Sequence, residues 1–369
     1  MALNLHTLLF KTIDYCNLDC DYCYTKKSSN IKHRDPIPFS IILKTFNDYI
    51  ELADEGRGTG PEGGYISYIW HGGEPTLAGI DYFKKIVEIQ NNSGYSKFIY
   101  NSITTNGTIL NQEWIDFIKK NEFRLSLSID GPKDVHDLHR LSVKNVSYYD
   151  KILTNIELLK DKQCQFGIIC VVTEDSVDKA EEIFSFYLKN GINRLTFLPR
   201  ITNYSQLSVD RYTHFMIKIF DLWFDYDLPN IYIREFENII HELLGGKAEL
   251  CEFNGCCGSY LAIDGNGDLY LCDLFIGNKY LRIGNIQENS LKEILDSDDT
   301  LNKIALKLNL NDECISCKYL KICKGGCLYK RCLSRGDPRD KDFYCNFKKG
   351  IINHISNRLS EILPDYSIN

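Results

Sequence analysis

The stretch Thr7-Leu-Leu-Phe-Lys-Thr-Ile13-Asp-Tyr-Cys16-Asn-Leu-Asp-Cys20-Asp-Tyr-Cys23-Tyr24 decides the fold. Thr7–Ile13 reads as a strand, and the loop that follows carries three cysteines at spacings of four and three. In α/β sheets and barrels, sites are built at that carboxyl end of the strands. Three thiolates can hold a cubane iron–sulfur cluster through three of its irons and leave the fourth open to a substrate. Four-cysteine ferredoxin sites are closed instead, for electron transfer. The plain alternative is a zinc site short of one ligand. A chance cluster of buried thiols fits poorly, because Asn17, Asp19 and Asp21 make the loop polar.

Outward from this loop, apolar strands alternate with amphipathic helices over the first ~230 residues, as a parallel sheet with crossover helices requires. The expected strands are Thr7–Ile13, Tyr65–Trp70, Phe98–Thr104, Arg124–Ile129, Phe166–Val172 and Arg194–Leu198. The expected helices are Ser40–Ala53, Ile80–Asn91, Gln112–Asn121, Tyr149–Asp161, Val177–Asn190 and Val209–Tyr226. Six such units make either a doubly wound sheet or a partial barrel, and periodicity does not choose. Glu55–Gly64 reads as a flexible glycine-rich loop without the Gly-Lys-Ser/Thr of a phosphate loop. After Gly245-Gly246 the chain turns rich in cysteine and turns. The expected domains are 1–235, 236–350, and a C-terminal helix and tail, 351–369.

The composition of the 369 residues is that of an ordinary globular protein, with 44% apolar and 25% charged residues. A net charge of −7 with scattered Lys and Arg disfavours nucleic acid as a partner. No apolar run reaches membrane-spanning length, and Met1–Thr12 lacks the features of a signal peptide. The expected location is therefore the cytoplasm. There, 15 cysteines point to metal or redox chemistry rather than disulfides. Ten of them lie between Cys251 and Cys345. Cys170, in Gln-Phe-Gly-Ile-Ile-Cys-Val-Val, reads as a small core residue.

Cys16-x3-Cys20-x2-Cys23 after the first strand resembles the radical S-adenosylmethionine (SAM) superfamily. That resemblance implies a partial (β/α)6 TIM-like barrel, SAM on the open iron, and a 5′-deoxyadenosyl radical that abstracts hydrogen from the substrate. Further landmarks follow at successive strand ends. Gly72-Gly73-Glu74-Pro75 matches the motif that binds the SAM amino group. Asn106 lies in Thr105-Asn106-Gly107. Ser128, Asp130 and Arg140 match the region that holds the SAM carboxylate and ribose. Tyr22 and Ile201 match positions that meet the adenine.

The C-terminal pattern is Cys257, Gly267 and Cys272, then Cys314-x2-Cys317-x5-Cys323-x3-Cys327, and finally Cys345. It resembles the SPASM domain, which carries two auxiliary [4Fe–4S] clusters. By that resemblance one cluster takes Cys251, Cys257, Cys272 and Cys327, with Cys256 an alternative to its neighbour. The other takes Cys314, Cys317, Cys323 and Cys345. With the N-terminal cluster the expected cofactors are SAM and three [4Fe–4S] clusters. Paired Cys spacings also suit zinc ribbons. The non-enzyme alternative is therefore a nucleic-acid-binding zinc module, whose support is the basic patch Lys318–Arg339. Asp264-Gly-Asn-Gly-Asp268 lacks the sixth-position Gly and the final Glu of a calcium loop. It reads as a hairpin turn presenting Cys272 and Asp273.

Asp273 matches the proposed general base of anaerobic sulfatase-maturating enzymes, which oxidise Cys or Ser to formylglycine. The resemblance to these runs along nearly the whole chain. His71, however, stands where those enzymes usually have Gln beside the substrate, and Trp70-His71-Gly-Gly is closer to SPASM enzymes that modify ribosomally made peptides. The expected reaction is thus oxidative cross-linking of a precursor peptide, with formylglycine formation the alternative and Asp273 and His71 the catalytic candidates. The implied partners are the peptide or protein substrate and an external donor of flavodoxin or ferredoxin type. Only 15 residues precede Cys16, so the precursor peptide is expected to be recognised either by the body of the chain or by a separate leader-binding protein.

Overall fold

The computed structural model describes residues 4–25, 34–57, 66–201 and 206–363. Most of the glycine-rich loop, 58–64, and residue 65, expected to open the second strand, lie outside them. The βα alternation runs as β1 (Thr7–Ile13), α1 (Phe39–Asp54), β2 (Ile66–Gly72), α2 (Ile80–Asn92), β3 (Ile99–Thr105), α3 (Gln112–Lys120) and β4 (Arg124–Ser128). It continues as α4 (Tyr149–Asp161), β5 (Phe166–Val172), α5 (Ala180–Lys189), β6 (Arg194–Pro199), α6 (Val209–Asp225), β7 (Tyr232–Ile233) and α7 (Arg234–Leu243). Three short strands follow: β8 (Tyr260–Ile263), β9 (Asp268–Tyr270) and β10 (Arg282–Asn285). The last major helices are α8 (Leu291–Asp296), α9 (Asp298–Ala305), α10 (Leu328–Arg335) and α11 (Cys345–Ile362). Side-chain caps fix several starts: Asn111 accepts from Trp114 N, Ser208 from Arg211 N, and Ser290 forms a capping box with Glu293.

The chain divides into two compact units. The first comprises Met1–Ser128, His139–Phe166 and Gly258–Ala305. Within it the strand order is β10-β9-β8-β1-β2-β3-β4. β8, β1, β2, β3 and β4 run parallel, while β9 and β10 run antiparallel as the expected hairpin and its neighbour. β1 is buried along almost its whole length, with Leu8 and Phe10 fully enclosed and even Lys11 and Thr12 buried, so both of its faces are covered. β2 instead buries alternate residues, Ile66, Tyr68 and Trp70. Phe10 stacks on Trp70 at 4.8 Å between ring centroids. The indole N–H donates to Asn101 Oδ1 at 2.9 Å, and the Asn101 amide donates to Gln90 Oε1 at 2.8 Å. This buried polar chain ties β2 to β3 and α2.

The second unit comprises Ile129–Leu138, Gly167–Cys257 and Leu306–Asn369. Its strands run parallel in the order β5-β6-β7. The C-terminal helix packs on α6: Tyr212 and Phe347 meet at 4.7 Å, and Asp221 accepts from His354 and Arg358 at 2.7 and 3.1 Å. Cys170 on β5 is buried, as its apolar setting implies. Among the described residues no helix is long and apolar enough to cross a membrane.

Candidate active site and thiol groups

The loop after β1 is pinned to its surroundings by backbone and amide contacts. Leu18 bridges Ser142, and Asp19 N–H donates to Leu141 O at 2.7 Å. The Asn17 amide donates to Thr108 Oγ1 at 2.8 Å, and the Asn106 amide donates to Asn17 Oδ1 at 3.0 Å and Cys16 Sγ at 3.6 Å. Asn106 therefore orders the cysteine loop itself. Cys20 is buried. Burial, then the Glu74 charge, pushes the Cys16 thiol up to about 12, with smaller contributions from Cys20 and Cys23 and an opposing one from Leu18 N–H. Three sulfurs that oppose one another's ionisation need a compensating cation before they become thiolates together. The chemistry of three thiol donors suits an iron–sulfur cluster, although among the described residues no group of three or more Cys, His, Asp or Glu stands close enough to hold a single metal ion.

Gly72 and Gly73 are held to glycine by close approach of the chain. A Cβ on Gly72 would stand 2.4 Å from Ile13 O, and one on Gly73 would stand 2.3 Å from Tyr15 O. Gly73 N–H donates to Ile13 O at 2.6 Å and Glu74 N–H to Tyr15 O at 2.9 Å. The end of β2 thus lies flush against the two residues that lead into Cys16. The Glu74 carboxylate is buried and saturated by the chain's own donors. Oε1 accepts from Thr76 N, Thr76 Oγ1 and Thr105 Oγ1 at 3.0, 2.5 and 2.6 Å, and Oε2 accepts from Asn106 N at 2.7 Å. Burial raises its pKa while these donors lower it. Here Glu74 staples the end of β2 to the end of β3.

Tyr22 is enclosed by Arg140, whose guanidinium carbon lies 5.3 Å from the ring centroid, and by His139 at 5.6 Å between rings. His139 in turn meets Asp21 at 3.0 Å. Arg140 and Tyr22 are therefore neighbours. Ser128 ends β4 half-buried. In the second unit, Asp130 is buried and its Oδ1 accepts from Val171 N at 2.9 Å, which anchors β5. Ile201 forms an isolated bridge with Gln206 after β6.

His71 stands on β2 opposite Lys11 of β1. Burial lowers its pKa; the Asp273 charge opposes that and the Lys11 charge adds to it. Lys11 itself is buried and paired with Asp14 at 2.7 Å. The Tyr24 hydroxyl donates to Asp273 Oδ2 at 2.5 Å, and the Tyr260 hydroxyl reaches Oδ1 at 3.5 Å. Tyr24 also lies 6.2 Å from the His71 ring. Burial, then the Asp273 charge, raises the Tyr24 pKa far above the ordinary value, so the phenol stays a donor. Asp273 and His71 are thus brought to one place, together with two tyrosines that the sequence reading did not single out. The available signal was adjacency, since Tyr24 follows Cys23 directly and Tyr260 opens the hairpin that ends near Asp273.

In the second unit the C-terminal thiols form two groups. Cys314, Cys317, Cys323 and Cys345 line one pocket together with Asp342 and Lys348. All four ligands that the SPASM resemblance implies for one cluster therefore face a common space, which fits that group. The other set holds Cys251, Cys257 and Cys327. Burial and then the Cys327 charge raise the Cys257 thiol to about 12, and Cys256 adds to it. Desolvation, then Cys327 and Cys257, raise Cys251. Cys272 belongs to the first unit, two residues past β9. The glycines of Lys324-Gly-Gly-Cys327 have left-handed φ of +76° and +74°, and a Cβ on Gly326 would stand 2.4 Å from Asp342 Oδ2.

A triad of thiols after β1, a glycine-lined strand end beside it, and a four-thiol cavity define a SAM-dependent iron–sulfur protein. Residues 10–187 match the radical SAM superfamily and residues 251–324 match the SPASM iron–sulfur cluster-binding domain. The chain is 31% identical to the cysteine-type anaerobic sulfatase-maturating enzyme of Clostridium perfringens (strain 13 / Type A), over 94% of this chain and 95% of that one. Native anSMEcpe with bound AdoMet and Cp18Cys peptide superposes with a TM-score of 0.86 at 28% identity, covering 98% of this chain and 99% of that one. Streptococcus suis SuiB bound to precursor peptide SuiA gives 0.68 at 18% identity, covering 94% and 76%, a likeness of fold alone. The chain belongs to the radical SAM superfamily, in the SPASM-containing branch that includes the anaerobic sulfatase-maturating enzymes. Its mixed α/β fold with a parallel sheet is the one expected of the radical SAM partial barrel, and its cofactors are SAM and [4Fe–4S] clusters.

Proposed function

We propose that this enzyme oxidises one residue of a peptide or protein substrate by removing a hydrogen atom, a proton and an electron. The observation that carries the reading is the short contact of Tyr24 with Asp273, which holds a carboxylate beside His71. Cys16, Cys20 and Cys23 hold the SAM-binding cluster. Cys314, Cys317, Cys323 and Cys345 hold one auxiliary cluster, and Cys251, Cys257 and Cys327 contribute to another. When bound, SAM and its cluster would supply a 5′-deoxyadenosyl radical, using an electron from an external flavodoxin- or ferredoxin-type donor, and the auxiliary clusters would accept the electron that the substrate loses. Tyr22 and Arg140 would meet the adenine and ribose, and the family pattern also assigns Ser128 and Ile201 to SAM binding. Gly72, Gly73, Glu74 and Asn106 shape the floor on which the methionine end rests, and Asp130 steadies the strand end. Asp273 takes the proton at Oδ1, whose contact with the Tyr260 hydroxyl is long at 3.5 Å, rather than at Oδ2, which the Tyr24 hydroxyl engages at 2.5 Å. His71, neutral through burial, contacts the substrate residue.

Two products are distinguished by particular observations. Cysteine-type maturases match this chain at about 30% identity along nearly all of both chains, and that favours oxidation of a Cys to formylglycine. His71 in place of the usual Gln favours a side-chain cross-link in a precursor peptide, served by a separate leader-binding protein. The SPASM match leaves the zinc-ribbon reading without support, and cysteines held as thiolate ligands suit the reducing cytoplasm. The test is anaerobic turnover of the reconstituted chain with a Cys-containing sulfatase-type peptide and, separately, with small peptides encoded beside it. Mass spectrometry reads an aldehyde that traps hydrazine in the first case and loss of two hydrogens with altered fragmentation in the second. The triple variant Cys16, Cys20, Cys23→Ala is expected to lose SAM cleavage and keep auxiliary iron; full SAM cleavage by it overturns the assignment.

A further inference from the structure

Between the two thiol groups of the second unit lies a buried ionic chain that the reaction above does not use. The Lys348 ammonium contacts Asp342, with side-chain exposures of 1% and 2%, and reaches Glu252 Oε2 at 2.8 Å. Glu252 also meets Lys330 at 3.0 Å and directly follows Cys251. Asp342 touches the backbone of both groups. Its Oδ2 accepts from Cys327 N–H at 2.7 Å, its Oδ1 from Tyr344 N–H at 2.7 Å, and its carbonyl from Cys345 N–H at 2.8 Å. The left-handed Gly326 exists to admit this carboxylate, since a Cβ there would collide with it. Two carboxylates and two ammonium groups balance to zero charge, with Lys348 shared between both acids.

We propose that Lys348, clamped between Asp342 and Glu252, is a positioning residue for the auxiliary clusters. Its cation cancels the carboxylates beside the thiol-bearing backbone and holds up the reduction potential of the cluster on Cys314, Cys317, Cys323 and Cys345. The inference rests on the SPASM assignment of those cysteines. The physical ground is that buried charges are weakly screened, and that net charge and hydrogen bonding around the sulfurs set a cluster's potential.

The experiment is an EPR-monitored redox titration, with iron analysis, of the full anaerobically reconstituted chain as wild type, K348M, E252Q and K348M/E252Q. Each auxiliary couple takes one electron from the titrant. K348M leaves one uncancelled negative charge and is expected to move the auxiliary midpoint to more negative potential. E252Q leaves one uncancelled positive charge and moves it the other way. The double variant restores neutrality and returns the midpoint close to wild type, while the SAM-binding cluster serves as internal reference. Where K348M loses auxiliary iron, recovery of that iron in the double variant supports the proposal, and equal loss in both overturns it in favour of a packing role. An unmoved midpoint in K348M with iron intact overturns the proposal alone. Absence of auxiliary iron from the wild type overturns the cluster assignment and the proposal together.

Discussion

Asp273 receives one hydroxyl from Tyr24, in the loop that bears Cys23, and one from Tyr260, at the start of the hairpin. The carboxylate is therefore aimed by side chains at both ends of the first unit's sequence. An amide of the same shape can still accept from Tyr24, but it cannot take up a proton. Asp273→Asn is thus expected to keep most SAM cleavage while product formation falls about 100-fold or more, the usual share of a positioned general base. Parallel assay of 5′-deoxyadenosine and modified peptide checks this, and equal loss of both would make Asp273 structural. At this scale the clustering of the cysteines was legible in their spacing, while Gly72-Gly73-Glu74 and Asp273 were singled out through the family resemblance. Tyr24 on Asp273 was not, because the two lie 249 positions apart and only packing joins them. The full engagement of Glu74 by Thr76, Thr105 and Asn106 was hidden for the same reason.

Among the elements, the expected bounds of β1, β5 and α4 coincide with those found, and the other expected strands and helices begin and end within a few residues. These segments are long enough for periodicity to speak. β7 and β10, of two and four residues, are too short to show a period, and they took their strand form from neighbours. The junction of β2 with the cysteine loop carries the most constraint per residue. Gly73→Ala would place a methyl 2.3 Å from Tyr15 O and push apart the pair of backbone hydrogen bonds that seat the loop. Overpacking of this kind costs about 1–3 kcal/mol, and here it falls on the backbone leading into Cys16. The variant is expected to lose the SAM-binding cluster and SAM cleavage while keeping its auxiliary iron. Iron per chain and SAM turnover measured on one preparation decide it, and normal turnover would mean that the loop accommodates the methyl.

At the scale of the molecule, composition and the run of cysteines were enough to indicate metal chemistry. They could not indicate that β8 pairs in parallel with β1, because residues 7–10 and 260–263 meet only through tertiary packing. The same packing buries acids that the sequence displays as ordinary surface charges. Glu235, on α7, is 7% exposed and its Oε2 accepts from Phe197 N–H at 3.3 Å. Burial raises its pKa from 4.5 to about 7. The sign follows from proton binding: between these two values the unfolded chain has released the proton and the folded chain still holds it. Folding then takes up a proton, so this group's contribution is fully present below pH 4.5 and is lost as pH rises through about 7. The span corresponds to on the order of 3 kcal/mol. Glu235→Gln keeps the acceptor for Phe197 and abolishes the ionisation. Its stability relative to the wild type should therefore rise by that order across the window and stay level above it. Anaerobic denaturant unfolding of both proteins at a series of pH values measures the difference, and a gap that does not change with pH would place the Glu235 carboxyl in contact with solvent.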